Sequence, residues 1–256
     1  MCGICGCTEE MEQTTDHEHH HHDHHELDHH VHEGHLVQIE QNILAKNNQY
    51  AEDNERFFLQ KNILALNLMS SPGSGKTTLL AKTIGDLNTL IDIAVVVGDQ
   101  QTDFDARKIK DSGGTAIQIN TGKVCHLDAH RVGHAVEALP LKEQSILIIE
   151  NIGNLVCPAL FDLGEHYKIV ILSVTEGDNK PLKYPDMFHA ADLLVITKTD
   201  LLPYVDFDLE QCKEYARRIN PELEILSLST KNGEGLQEWY EWLNTKLSGL
   251  SSLKKM

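Results

Sequence analysis

Apolar residues along this chain gather into short runs separated by longer amphipathic stretches. Runs at 63–69, 91–97, 116–119, 146–149, 168–174, 193–197 and 224–227 are mostly apolar and bounded by turn residues. Such runs read as strands buried on both faces. Between them, stretches at 76–90, 103–111, 124–138, 185–191, 206–218 and 235–247 carry the spacing of helices with one apolar face. Strands and helices that alternate in this way form a mainly parallel sheet with helices on both sides. The fold class expected for residues 62–256 is therefore α/β, with no internal repeat. Upstream, Leu36, Ile39, Ile43, Leu44, Phe57 and Phe58 suit an amphipathic helix over 36–61, docked on that domain.

Composition changes the picture only at the N-terminus. Of 256 residues, 41% are hydrophobic and 24% charged, close to a globular average. The net charge is −17, but residues 1–35 hold nine acids and no Lys or Arg, which leaves −8 for the rest. An acidic chain of this kind is a poor match for duplex nucleic acid, which is bound through clustered cations. No apolar run approaches the roughly 18–20 residues of a membrane span, and no basic start with an apolar core marks a secretory signal. The expectation is a cytoplasmic protein with neither a nucleic-acid nor a membrane partner.

Residues 1–35 also hold eleven of the sixteen His, with Asp and Glu interleaved, behind Cys2, Cys5 and Cys7. A tail so poor in apolar residues cannot order itself by burial, and its imidazoles suit weak, multiple metal binding. A solvated run with no specific role is the plainer reading. In Cys2-Gly3-Ile4-Cys5-Gly6-Cys7 the glycines let a short backbone wrap one ion, with thiolate or backbone donors converging. A redox pair is the rival, but it needs a strand-to-helix setting absent at residue 2.

The strongest motif is Ser70-Ser71-Pro72-Gly73-Ser74-Gly75-Lys76-Thr77. It is a P-loop lying between a strand and a helix, with Ser70 where the usual pattern begins with Gly. Glycines are needed because successive backbone N–H groups must turn inward around phosphate oxygens. The helix starting near Lys76 adds its positive end. Lys76 is expected to reach the β- and γ-phosphates and Thr77 to ligate Mg²⁺, with Thr78 a further nucleotide-side candidate.

Thr197-Lys198-Thr199-Asp200 stands in the place of the Asn-Lys-x-Asp element of GTPases, with Thr197 replacing Asn. A carboxylate at Asp200 accepts from the N1–H and 2-amino group of guanine, a donor pair that adenine lacks. A solvated strand-to-helix turn is the bland alternative. Ser229-Thr230-Lys231 resembles the last guanine loop of such proteins. Glu150-Asn151-Ile152-Gly153 has the form of the Asp-x-x-Gly switch with Glu replacing Asp, so Gly153 is expected at the γ-phosphate and Glu150 near Mg²⁺. Asp99, at the end of a strand, is either a residue that holds a metal-bound or attacking water or an ordinary strand-end acid.

Outside the tail, Cys125, His126 and Cys157 suggest a second metal site, with His126 and His130 expected as i,i+4 neighbours on one helix. Spacing alone leaves packing Cys and surface His as an equal reading. Cys212, with no ligand partner nearby, reads as a packing residue.

Taken together, the Cys2–Cys7 cluster, the His-rich tail, Ser-Ser-Pro-Gly-Ser-Gly-Lys-Thr, Cys125-His126 and Glu150-Asn151-x-Gly153-Asn154-Leu155-Val156-Cys157 resemble the HypB family. That family comprises GTPases that assist nickel insertion into [NiFe]-hydrogenase precursors, and the resemblance spans essentially the whole chain. It implies a SIMIBI-type P-loop GTPase that hydrolyses GTP to GDP with Mg²⁺; since no arginine finger stands out in the sequence, the unaided rate is expected to be slow. It also implies a tight nickel site at Cys2, Cys5 and Cys7. A weaker nickel or zinc site would lie at Cys125, His126 and Cys157, with His130 a less certain ligand. The implied partners are a second copy, a HypA-type nickel protein and the hydrogenase large-subunit precursor. Urease nickel-insertion GTPases resemble this domain too, but carry Cys-Pro-His where this chain has Cys157-Pro158-Ala159. A nickel storage protein with a regulatory P-loop, and a P-loop ATPase or small-molecule kinase, are the other readings.

Overall fold

In the computed structural model, residues 27–99, 103–122 and 124–253 are described, with side chains from 41 to 250. The Cys2, Cys5 and Cys7 cluster and most of the His-rich run lie outside the described residues. The elements in chain order are α1 (Leu27–Lys61), β1 (Leu64–Ser70), α2 (Lys76–Leu87), β2 (Ile93–Asp99), α3 (Phe104–Asp111), β3 (Thr115–Asn120), α4 (Ala129–Glu137) and β4 (Ile146–Gly153). They continue with β5 (Tyr167–Ser173), α5 (Lys180–Lys183), α6 (Pro185–His189), β6 (Leu193–Thr197), α7 (Leu209–Ile219), β7 (Glu224–Ser227) and α8 (Leu236–Leu253). Short 3₁₀ turns cover Cys157–Leu160 and Thr199–Tyr204.

The sheet has seven strands in the order β3-β2-β4-β1-β5-β6-β7, and each neighbouring pair is parallel. The α/β expectation thus holds, with every strand run in place. In β1, Leu64, Leu66 and Leu68 join a core with α2 and α8, while Ala65 faces a second core with α1 and α4. That split follows from the two-residue side-chain period of a strand. The chain starts in the middle of the sheet, runs outward through β2 and β3, and returns at β4 beside β1. The loops after β1 and β4 therefore meet at the carboxyl ends of adjacent strands, where open α/β sheets bind ligands. Among the described residues, no helix is long and apolar enough to cross a membrane.

Several boundaries differ from the sequence reading by a few residues, and three of the differences bear on the site. The first helix begins at Leu27 rather than 36 and runs unbroken to Lys61. The helix expected over 124–138 begins only at Ala129, because Asp128 caps it by accepting from Arg131 N at 2.9 Å. Residues before the cap are loop, with Gly122 at φ +59°, so His126 does not share a helix with His130. The strand expected over 146–149 runs on to Gly153, since the polar residues that follow find buried partners.

α1 is fixed where that late helix starts. Asn47 Oδ1 accepts from Ala129 N at 2.9 Å, and Asn54 Nδ2 donates to Ala129 O at 2.8 Å and to Leu163 O at 3.0 Å. Its backbone also needs Gly164, where a Cβ would sit 2.5 Å from Ala51 O.

Candidate nucleotide and metal site

β1 ends at Ser70 and the chain turns back into α2 at Lys76. Gly73 at φ +76° and Gly75 at φ +101° make the turn in backbone conformations that side-chain-bearing residues avoid. Lys76 Nζ is buried in the turn and donates to Ser70 Oγ at 2.6 Å. The serine at the place of the usual glycine therefore serves as a hydrogen-bond partner for the lysine. Burial pulls the Lys76 pKa down, with Glu150 opposing.

Glu150 arrives from β4, paired opposite Leu68. Its Oε1 accepts from Thr77 Oγ1 at 2.6 Å. Burial pushes the carboxyl up to about 7, against the pull of Thr77 and Lys76. Ser74 Oγ and Glu150 Oε2 are both buried without a hydrogen-bond partner. Orphaned polar atoms of this kind mark a place where a ligand completes the bonding. Gly153 then touches the turn: a Cβ there would lie 2.9 Å from Pro72 Cγ and 3.0 Å from Pro72 N.

These groups surround a cavity of about 610 Å³. Gly73, Ser74, Gly75, Lys76, Thr77, Thr78, Asp99, Glu150, Gly153 and Lys198 all line it, as the sequence reading expected of a phosphate pocket. Asp105 and Lys108 of α3 line it too and were missed, since no local motif marks them. Lys108 Nζ donates to Thr78 Oγ1 at 2.9 Å. Only the docking of α3 beside α2 brings that cation in.

The next group lies beyond Lys198. Thr197 Oγ1 donates to Ser74 O at 2.6 Å, and Lys198 Nζ donates to Gly73 O at 2.7 Å. The threonine at the Asn position thus ties the end of β6 to the phosphate turn through a hydroxyl. Lys198 itself sits at φ +60°. Asp200 Oδ1 accepts from Ser229 Oγ at 2.6 Å, and Lys231 Nζ stands 3.8 Å from Asp200 Oδ2. Ser229 Oγ also accepts from Lys231 N at 3.2 Å, closing the loop through half-buried Thr230. The result is a carboxylate held by its neighbours just beyond the carboxyl end of β6.

At the other end, Cys125 and His126 in the β3–α4 loop meet Cys157, which opens the 3₁₀ turn after β4. Their ligand atoms lie within 4.8 Å of one another. Cys125 Sγ is 3.0 Å from Cys157 Sγ and 3.9 Å from His126 Nδ1. The His126 ring stacks on Phe161 with centroids 3.9 Å apart. Burial lowers its pKa, more than nearby Asp128 raises it. A neutral imidazole beside two thiols is a donor set that nickel and zinc both accept. Among the described residues, this is the one group of three or more such side chains.

His130 lies apart from it, on α4. Its Nε2 is 3.1 Å from His134 Nε2, and its ring is 4.6 Å from Tyr50. Cys212 is buried in α7, and burial pushes its thiol up to about 12, as befits a packing residue. Cys125 lines the nucleotide cavity as well as the metal group. The two groups of side chains therefore share one concavity.

A P-loop after the central strand of a parallel sheet, with a carboxylate and a glycine beside it, defines a nucleotide-binding protein of the P-loop class. The model of the CobW/HypB/UreG nucleotide-binding domain matches residues 64–227. A hydrogenase maturation factor HypB from Azotobacter chroococcum is 59% identical over 208 residues, spanning 81% of this chain and 68% of the relative. One from Escherichia coli K12 is 54% identical over 211 residues, 82% of this chain and 73% of the relative. The crystal structure of HypB from Helicobacter pylori in complex with nickel has 40% identity and a TM-score of 0.76, over 80% of this chain and 96% of that one. The chain belongs to the HypB family of the CobW/HypB/UreG nucleotide-binding proteins.

Proposed function

We propose that this chain is a GTP-hydrolysing nickel metallochaperone that assists nickel insertion into the large subunit of [NiFe]-hydrogenase. The observation that carries this reading is Cys125, which lines the phosphate cavity and also belongs to the Cys125–His126–Cys157 group. Nucleotide and metal are then held in one concavity, and a change in one alters the surroundings of the other. The names of the relatives support the same assignment.

In this reading Asp200, oriented by Ser229, selects guanine, and the Lys76 ammonium balances charge on the transferred phosphoryl group. The oxygen donors Thr77 and Glu150 suit Mg²⁺, and the unpartnered Glu150 Oε2 fits a cation or its water. When bound, Mg²⁺ supplies charge neutralisation across the phosphates. Asp99, at the end of the neighbouring strand, orients water. No arginine lines the cavity among the described residues, consistent with slow intrinsic hydrolysis of about 10⁻⁴–10⁻² per second.

Nickel is the cargo, with zinc a competitor for the same donors. A second copy of this chain is the nearest partner. Phe104, Val156 and Leu160 are exposed apolar residues close in sequence to cavity-lining ones, and a second copy would cover them. A HypA-type nickel protein and the hydrogenase precursor are the partners for delivery, and the setting is cytoplasmic.

The test is a nickel competition titration on the reduced full-length chain against a chromogenic chelator. It is run with GDP and then with a non-hydrolysable GTP analogue and Mg²⁺. The component removed by Cys157→Ala reports the domain site. Its affinity is expected to differ between the two nucleotides. Identical affinities, or no component sensitive to Cys157→Ala, would overturn the reading.

A further inference from the structure

The strand β4 does not pair evenly with β1. Between the pairs Leu68↔Glu150 and Ser70↔Gly153, β1 advances two residues while β4 advances three. A bulge therefore lies at Asn151–Ile152. Bulges beside functional sites re-aim a side chain away from the ladder, and here the re-aimed side chain is Asn151. Its Oδ1 accepts from Leu127 N at 3.2 Å and from Ile152 N at 3.0 Å. Its Nδ2 donates to Asn67 Oδ1 at 3.3 Å, and Asn67 donates in turn to Glu165 Oε1 at 2.9 Å. Asn151 is 2% exposed, so these contacts are not shared with water.

Three residues on, a second asparagine reaches the same loop. Asn154 Nδ2 donates to Cys125 O at 3.3 Å, while its Oδ1 accepts from Val156 N at 2.8 Å. Between the two asparagines lies Gly153, whose backbone rests against Pro72 of the phosphate turn. Leu127 is wedged over Gly98 of β2, where a Cβ would sit 2.9 Å from its side chain. The far end of the loop is pinned by Asn47 and Asn54 at Ala129. The near end is tied to β2 by Thr121 N donating to Asp99 O at 3.1 Å, and at Cys125 and Leu127 its backbone is bonded by side chains from the segment that touches the phosphate turn.

We propose that Asn151 and Asn154 are positioning residues through which nucleotide state reaches the metal ligands. Both also line the cavity beside the phosphate turn, and their part is to set where Cys125 and His126 stand relative to Cys157. A shift of Gly153 against the phosphate turn moves both asparagines and with them the 125–127 backbone. This inference rests on the metallochaperone reading above.

The experiment measures nickel affinity at the Cys157-dependent site in GDP and in the GTP analogue, for full-length wild type, Asn151→Ala, Asn154→Ala and Asn151→Asp. The wild-type ratio between nucleotide states is expected to be at least about fivefold, the lower range of ordinary coupling. Asn151→Ala and Asn154→Ala should bring it within about twofold of unity, whereas Asn151→Asp, which keeps the acceptor for Leu127 N, should retain most of it. A merely structural loss weakens nickel binding equally in both states and leaves the ratio alone. Hydrogen exchange of a peptide spanning 125–127 supplies a second readout, with protection at Leu127 dropping in Asn151→Ala but not in Asn151→Asp. Asn154 is only half-buried, so Asn154→Ala carries the test if Asn151→Ala does not fold. Wild-type ratios kept in both alanine variants would overturn this inference and leave the metallochaperone reading standing. A wild-type ratio of one would overturn both.

Discussion

The two ends of the cavity use burial in opposite ways. At the phosphate end, burial acts on groups meant to carry charge: it pulls Lys76 down and pushes Glu150 up to about 7. Burial works against the charged form of each, with Ser70 and Thr77 as their hydrogen-bond partners. At the metal end, burial keeps His126 neutral beside two thiols, which is the form that binds a metal. One end sets a buried cation beside a buried carboxylate, the other a neutral imidazole beside two thiols. Removing water thus prepares both, and the side-chain chemistry decides for what.

If the two ends are separate in chemistry, single substitutions should damage one and spare the other. The largest effect is expected from Asp200→Asn, which, on the proposal that Asp200 reads guanine, puts an NH₂ donor where one carboxylate acceptor stood. GTP affinity should fall about 10⁴-fold, the scale of loss at a site built around hydrogen bonds that are no longer made, and xanthine nucleotides should gain. Calorimetric titration with both nucleotides checks this. An unchanged preference for GTP would place base selection elsewhere.

Cys157→Ala comes next. Nickel affinity at the domain site should drop about 100-fold while GDP affinity stays within about twofold. A parallel loss of GDP affinity, seen with a fluorescent analogue, would break the separation of the two ends.

The comparison sharpens further with pH. The native Glu150 carboxyl holds its proton more tightly than the ordinary 4.5 of an unfolded chain. Stability from that proton is present below about 4.5 and is lost as pH rises toward 7. Chemical denaturation of the nucleotide-free protein should therefore show falling stability from pH 5 to 8. Glu150→Gln should flatten that slope, gaining about 2 kcal/mol at pH 8 relative to wild type. Equal slopes would mean that Glu150 is ionised without cost.

The smallest effect is expected from Ser229→Ala. Loss of one hydrogen bond to the Asp200 carboxylate costs about 1 kcal/mol, or about fivefold in GTP affinity. Nickel binding should not change.

Much of this was legible in the residues. The seven strand runs and the phosphate turn were readable because their determinants lie within a few positions of each other. That Asp200 and Ser229 follow strand ends was readable from the polarity there, but their 2.6 Å hydrogen bond was not. Asp105 and Lys108 were not, because α3 reaches the cavity only by docking beside α2. The start of α4 was misplaced because apolar periodicity continues upstream of Asp128, and the cap, not the periodicity, ends the loop. The bulge at Asn151 was invisible as well, since it exists only in relation to β1.

The sequence by itself determined the strand and helix runs, the glycine-built turn at residues 70–77 and the donor types at Cys125, His126 and Cys157. These depend on local backbone preference and on side-chain chemistry, which the residues carry with them. The tertiary structure alone decided that β4 lies between β2 and β1, that Glu150 meets Thr77, and that Cys125 meets Cys157 at the edge of the phosphate cavity. The sheet order β3-β2-β4-β1-β5-β6-β7 is a choice among pairings of similar strands. It is settled by which arrangement buries both faces of all of them at once, and no single segment contains that information.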